Sequence, residues 1–345
     1  MSNEREILIK TFDESNASTD VDQSVIVYTL PVSKANAIAQ GYLSLIRDCS
    51  DSDDFGARKN LHELINSFVK QEQHSGDADD FHNFAVELAR NDEYSLACLV
   101  LECGLSLFPK NVDLISDYLQ YGVNCNKTEE CKKYYKTLIK IPRRRWTWRG
   151  FAFLVDYLKF LIERSDSEKE IDAKEQEMIS IVSDFRNFFQ YSEESYRVEA
   201  DVYKNLNMQD KELETLETAL KVINVAPKCA LRCADILFER GRYEEASQAI
   251  KRVLSDATQS QSSVNEGYIY YLSALCKIAV LQKNEKELDR EHVEDIYSDF
   301  NIALSKFKDT RSYADVIKTK TNTLINKSGI EVDNRFDLLS ACISY

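Results

Sequence analysis

Turn-forming residues are scarce: nine Gly and four Pro in 345 residues, against averages of about 7% and 5%. An antiparallel β fold would lack its turns, so a mostly helical chain is expected. No two of the nine cysteines form a Cys-x-x-Cys pair, which argues against a zinc ribbon, and a chain of this length can build a core without disulfides. Pairs such as Cys229 and Cys233, four apart, read as core packing rather than metal ligands. No apolar run approaches the ~18 residues of a bilayer crossing, and Met1 is followed by neither a basic start nor an apolar stretch. A cytoplasmic protein without a membrane partner is the expectation. The chain also lacks Gly-x-Gly-x-x-Gly, Gly-x-x-x-x-Gly-Lys-Ser/Thr and His-Glu-x-x-His, and its four histidines share no motif with any acid or thiol. No catalytic residue, metal or cofactor is therefore assigned, and no enzyme is expected. The net charge of −14 has the wrong sign for wrapping a duplex by counterion release.

What the chain does contain is helical periodicity. Residues 1–23 are acidic and rich in Ser, Thr and Asp, and read as a mobile tail. Residues 24–76 open with a β-branched run, Ser24 to Leu30, the one strand candidate. They continue with two amphipathic stretches, Ala35 to Arg47 and Ala57 to Lys70, that make an N-terminal helical hairpin. Residues 1–80 carry 15 acids and 7 bases, more than half of the whole charge imbalance. From Ala78 onward Pro109, Pro142 and Pro227 each close a long amphipathic segment, and the first two prolines stand 33 residues apart. That spacing points to repeated helical pairs over residues 77–308, followed by capping helices in 309–345.

The segment from Ala78 resembles the tetratricopeptide repeat, a 34-residue helical hairpin with small residues at positions 8, 20 and 27 and proline at 32. Phe81 falls at position 4, Ala85 at 8, Ala97 at 20, Gly104 at 27 and Pro109 at 32. Ala234 takes position 8 of the segment from Pro227, and Gly241 to Ala246 reproduces the turn into the second helix. The register is looser between these units: Leu119 occupies the small position 8 of the segment from Val112, and Glu163 to Lys174 makes a long charged connection between Trp148–Leu161 and Glu175–Phe189. The resemblance implies an all-α right-handed superhelix (an α-α solenoid of about six helical pairs) whose first helices line a concave groove. It also implies a non-enzymatic scaffold or adapter that binds protein. Its groove positions include His82, Ser116, Arg197, Asp201, Lys204 and Asp235. The Lys and Asn that such domains use at positions 5 and 9 to clamp a C-terminal carboxylate are absent, the pairs reading His82/Val86, Ser116/Gln120, Arg197/Asp201 and Leu231/Asp235.

The sharpest local anomaly is Cys131 to Gly150, with eight bases and no acid. Lys136, Lys140, Arg143, Arg144, Arg145 and Arg149 interleave with Tyr134, Tyr135, Trp146 and Trp148, both tryptophans of the chain included. Together with Arg197 and Lys204 of the groove, these bases and Trp146 form the candidate partner-binding set. Arg forks and flat rings suit an acidic peptide or protein segment, and they equally suit single-stranded RNA or DNA. A third reading makes the bases a counterweight to the acidic N-terminal hairpin, and a fourth, on fold analogy alone, a peptide-responsive regulator.

Overall fold

The computed structural model describes residues 30–48, 54–260, 265–284 and 290–306. The tail expected over 1–23, the strand expected before Leu30 and the capping helices expected in 309–345 lie outside these residues. Among the described residues there are fourteen α-helices, one 3₁₀ turn and no strand. The helices are α1 (Val32–Asp48), α2 (Asp54–Val69), α3 (Ala78–Ala89), α4 (Tyr94–Leu107), α5 (Val112–Asn124), α6 (Thr128–Leu138) and α7 (Trp148–Glu163). They continue with α8 (Glu168–Phe188), α9 (Glu193–Asn205), α10 (Gln209–Val222), α11 (Pro227–Glu239), α12 (Tyr243–Ser260), α13 (Glu266–Lys283) and α14 (Arg290–Lys306). The chain divides into two compact units, Met1–Cys103 and Gly104–Tyr345, with the boundary inside α4.

In the first unit α1 packs on α2 and α3. Leu61, Ile65 and Phe68 line the buried side of α2, and the Phe68 ring meets Phe84 edge-on at 5.9 Å and Phe81 at 6.4 Å. Helix α3 begins at a capping box in which Asp77 accepts from the Asp80 amide while Asp80 accepts from the Asp77 amide.

In the second unit consecutive helices pack pairwise, and the first helices of successive hairpins (α5, α7, α9, α11 and α13) also touch one another. This is the neighbour-only packing of an all-α helical-repeat solenoid. A backbone signature marks the repeat. Asp92, Asn126, Asn207 and Gly241, one in each of four hairpin turns, adopt the left-handed conformation with φ between 56° and 73°. In each case the following amide reaches back over the turn, Glu93 to Leu88 O, Lys127 to Gly122 O, Met208 to Tyr203 O and Arg242 to Leu237 O. That is the six-to-one bond of a Schellman closure, and Gly, Asn and Asp are the residues that tolerate it. Residues 92 and 126, and again 207 and 241, stand 34 apart.

Two departures from the sequence expectations have clear causes. The charged connection expected over Glu163–Lys174 is largely helix: α8 starts at Glu168, capped by the Ser167 hydroxyl, with Glu168 and Glu170 favourably placed in its first turn. Helix α5 carries bulky Leu119 where a small residue is usual, and the close approach occurs one turn later. A Cβ on Gly122 would lie 2.5 Å from Cys131 Sγ of α6, so glycine there admits the buried thiol.

Candidate interaction surface

The Cys131–Gly150 segment spans α6, a Pro142-initiated link and the first turn of α7. Pro142 ends the helical run, Arg143–Arg145 form a single 3₁₀ turn, and the Trp146 amide closes it on Arg143 O. Trp146 is 5% exposed, donates its indole N–H to Ile141 O at 3.0 Å and packs on Phe151 with ring centres 5.1 Å apart. It therefore anchors the link from inside and is not available to a partner. Gly150 lets α7 sit against this anchor, since a Cβ there would meet Val112 Cγ1 at 2.7 Å and Trp146 Cβ at 3.3 Å. The Thr147 hydroxyl caps α7 through the Gly150 amide and donates to Asp113 at 2.6 Å, tying α7 to the start of α5.

With the backbone so fixed, the basic side chains divide. Arg143 turns inward to α8, where it pairs with Asp184 and donates to Ser180 Oγ at 3.0 Å. Lys132 pairs with Glu129 of its own helix at 2.7 Å. Tyr135 donates to Glu177 at 2.6 Å and accepts from Lys174 at 2.7 Å, both on α8; burial and the Glu177 carboxylate hold its hydroxyl above the usual tyrosine range. Lys136, Lys140, Arg144 and Arg145 are exposed, and no carboxylate among the described residues lies within ion-pairing distance of them. Arg149 lies over the Trp148 ring at 5.3 Å, and Trp148 is 42% exposed.

A cleft of about 650 Å³ opens beneath this surface. Lys140, Arg145 and Thr147 line it together with Lys110, Asn111, Val112 and Asp113 from the start of α5. Lys110, thirty residues before Lys140, was not among the residues singled out from sequence; only the packing of α5 on α7 brings it here.

The groove residues behave differently. Arg197 and Lys204 sit on α9, in the next hairpin. The Arg197 guanidinium grips Glu194 at 2.6 and 3.0 Å, an arrangement that raises its pKa further, while Lys204 is exposed. Asp201 is held by Arg232, which also grips the buried Glu212 at 2.5 Å, and Asp235 accepts from Tyr268 at 2.5 Å. His82 and Ser116 are buried, and the Ser116 hydroxyl donates to Val112 O at 2.6 Å. Asp201 and Asp235 thus tie neighbouring helices together, while Arg197 pairs within its own helix.

Among the described residues no three His, Cys, Asp or Glu side chains gather as a metal site. Cys229 and Cys233 are buried in the core of α9–α12, and burial pushes the Cys233 thiol up to about 12. No described helix is long and apolar enough to cross a membrane.

No family model matches the chain, and no curated protein does. Solved structures do. A thermophilic tetratricopeptide repeat protein of Thermus thermophilus is 17% identical, over 59% of this chain and 99% of its own, with a TM-score of 0.41. PilF of Pseudomonas aeruginosa is 14% identical over 64% of this chain and 88% of its own, with a TM-score of 0.44. A tetratricopeptide repeat protein of Parabacteroides merdae is 16% identical over 69% of this chain and 99% of its own, with a TM-score of 0.26.

Proposed function

We infer that the chain is a helical-repeat interaction scaffold that holds an acidic segment of another protein on the surface made by α6, the Arg143–Arg145 turn and the start of α7. One observation carries this reading: Lys136, Lys140, Arg144 and Arg145 stand exposed with no described carboxylate within ion-pairing distance, beside a half-exposed Trp148, in a chain of net charge −14. Outside this segment most of the described arginines meet an acid or a carbonyl, Arg58, Arg186, Arg232, Arg240 and Arg252 among them, so this cluster is where an acidic partner gains from charge complementarity. Trp148, with Arg149 stacked on it, supplies the apolar anchor that such interfaces favour.

The same observations weigh against a nucleic-acid strand. Stacking successive bases needs a row of open rings. Of the four aromatics in the segment only Trp148 is exposed, since Trp146 is buried, Tyr134 lies on Tyr118 at 4.5 Å and Tyr135 is tied to α8.

The test is a pull-down from the source cells with the full chain, with and without nuclease, beside the double variant Arg144→Glu, Arg149→Glu. The expected result is a stoichiometric protein that survives nuclease and is lost with the variant while helicity by circular dichroism is unchanged. Nuclease-sensitive recovery refutes the protein reading, and recovery by the variant removes this surface from it.

A further inference from the structure

The cleft beneath the surface has a charge balance of its own. Its lining holds three cations, Lys110, Lys140 and Arg145, and one carboxylate, Asp113. Asp113 is engaged by the Thr147 hydroxyl at 2.6 Å, and the three cations have no ion-pair partner among the described residues. Two positive charges are therefore left over within one concave site. A second cleft, about 370 Å³, shows the contrast: its Arg242 pairs with Glu217 at 3.2 Å and Glu245 at 2.6 Å, and its Arg252 donates to the carbonyls of Leu220, Ile223 and Asn224. Arginine in that cleft is consumed by the fold.

A single carboxylate would neutralise only half of the excess in the Lys140–Arg145 cleft. A phosphate monoester carries about −1.5 to −2 at neutral pH and three strong acceptor oxygens. A planar arginine fork such as that of Arg145 can take two of those oxygens at once, and Lys110 and Lys140 add point charges. The backbone that carries Arg145 is also held before any ligand arrives: Trp146 is bonded to Ile141 O, Gly150 is tight against Val112, and Thr147 is bonded to Asp113. Preorganisation of this kind lowers the entropic cost of binding.

We propose that this cleft seats a phosphorylated residue of the acidic segment, so that the scaffold engages its partner in a phosphorylation-dependent way. The proposal rests on the acidic-segment reading and narrows it. Lys110 comes to the cleft from just before α5 and Arg145 from the link, so neither alone defines the site.

The experiment is fluorescence anisotropy of the full chain with two labelled dodecapeptides of Glu and Ala, one carrying a central phosphoserine and the other serine. The phosphopeptide is expected to bind at least about tenfold more tightly, as charge-assisted bidentate bonds imply. Lys110→Ala and Arg145→Ala should each bring the ratio of the two affinities close to one, and both side chains are exposed, so thermal melts should match the parent. Inorganic phosphate should compete in the millimolar range. Equal binding of both peptides overturns the phosphate assignment while leaving the acidic-segment reading in place, and binding of neither overturns both. A preference that persists in Lys110→Ala and Arg145→Ala places the phosphate elsewhere and overturns the site. Displacement of the phosphopeptide by a uridine decamer that itself binds more tightly overturns it in favour of a nucleic-acid strand.

Discussion

Gly122→Ala should destabilise the protein, against the intrinsic preference of a helix, and the sign should reverse when Cys131 is also made alanine. Gly→Ala inside a helix gains up to about 1 kcal/mol, since glycine loses more backbone entropy on folding. Here the new Cβ would stand 2.5 Å from Cys131 Sγ, where ordinary contact needs about 3.5–4.0 Å. The thiol is fully buried and packs under Tyr118, so it has little room to swing away. Either α5 and α6 separate or the thiol leaves its rotamer, and overpacking of this kind costs about 1–3 kcal/mol. Net destabilisation by about 1 kcal/mol follows for Gly122→Ala alone. With Cys131→Ala the sulfur is gone, and the nearest remaining atom is Tyr118 Cε1 at 3.4 Å, an acceptable contact. Gly122→Ala in that background should then stabilise. The assay is urea unfolding followed by tryptophan fluorescence, with midpoints compared as a double-mutant cycle. Stabilisation by Gly122→Ala in the parent, or the same sign in both backgrounds, would refute the claim that this glycine exists to admit the thiol.

Other outcomes follow from the turns, the thiols and the tryptophans. Asn126→Gly and Asn207→Gly should leave stability unchanged or raise it, while Gly241→Ala, at φ 73° with no side-chain obstacle within 3.8 Å, should lower it by about 1 kcal/mol in thermal melts. Burial pushes the thiols of Cys131, Cys233 and Cys276 up to about 12 and that of Cys103 to about 11, whereas an unfolded thiol ionises near about 8.5–9. Their folded pKa values lie above the unfolded ones, so the contribution is complete below pH ~9 and is lost as pH rises towards about 12. The melting temperature should therefore fall over that window, and Cys131→Ala should make the decline shallower; an equal decline would contradict the assignment. An acidic peptide should change the fluorescence of Trp148, which is half-exposed, and leave that of Trp146, which is buried. Trp148→Phe should abolish the change and Trp146→Phe should keep it, with the reverse pattern refuting the placement.

The helical hairpins were legible because their information is local. Spacing of Phe81, Ala85 and Leu88, or of Ala234 and Leu237, sets both the helix and its buried side. The turn register could have been read too, since Asp92, Asn126, Asn207 and Gly241 are all residues that accept a left-handed backbone, yet only Gly241 advertises it by composition. What the sequence hid depends on helices far apart in the chain. The acid-free window from Cys131 to Gly150 gains Asp184 and Glu177 from α8, some forty residues on, and these engage Arg143 and Tyr135. Lys110 enters the same site from upstream. Trp146 and Trp148 are alike in sequence, yet the first goes in, onto Ile141 O and the Phe151 ring, and the second stays out.

The place of this surface along the chain strengthens the functional reading. From Asn126 to Asn207 the distance is 81 residues, where two regular repeats need 68. Helices α7 and α8, at 16 and 21 residues, absorb most of the excess, against 11 to 14 in α5, α6, α9 and α10. The added first half of α8 is polar and exposed at Glu168, Lys169, Glu170 and Asp172 and buries little, so core packing does not account for it. Beyond Asp172, α8 supplies Lys174, Glu177, Ser180 and Asp184, which brace Tyr135 and Arg143. Departures from a regular pattern are expected where function requires them. Here the departure fixes one arginine and one tyrosine inward and leaves Lys140, Arg144 and Arg145 outward, producing the unmatched cation cluster in an otherwise acidic chain.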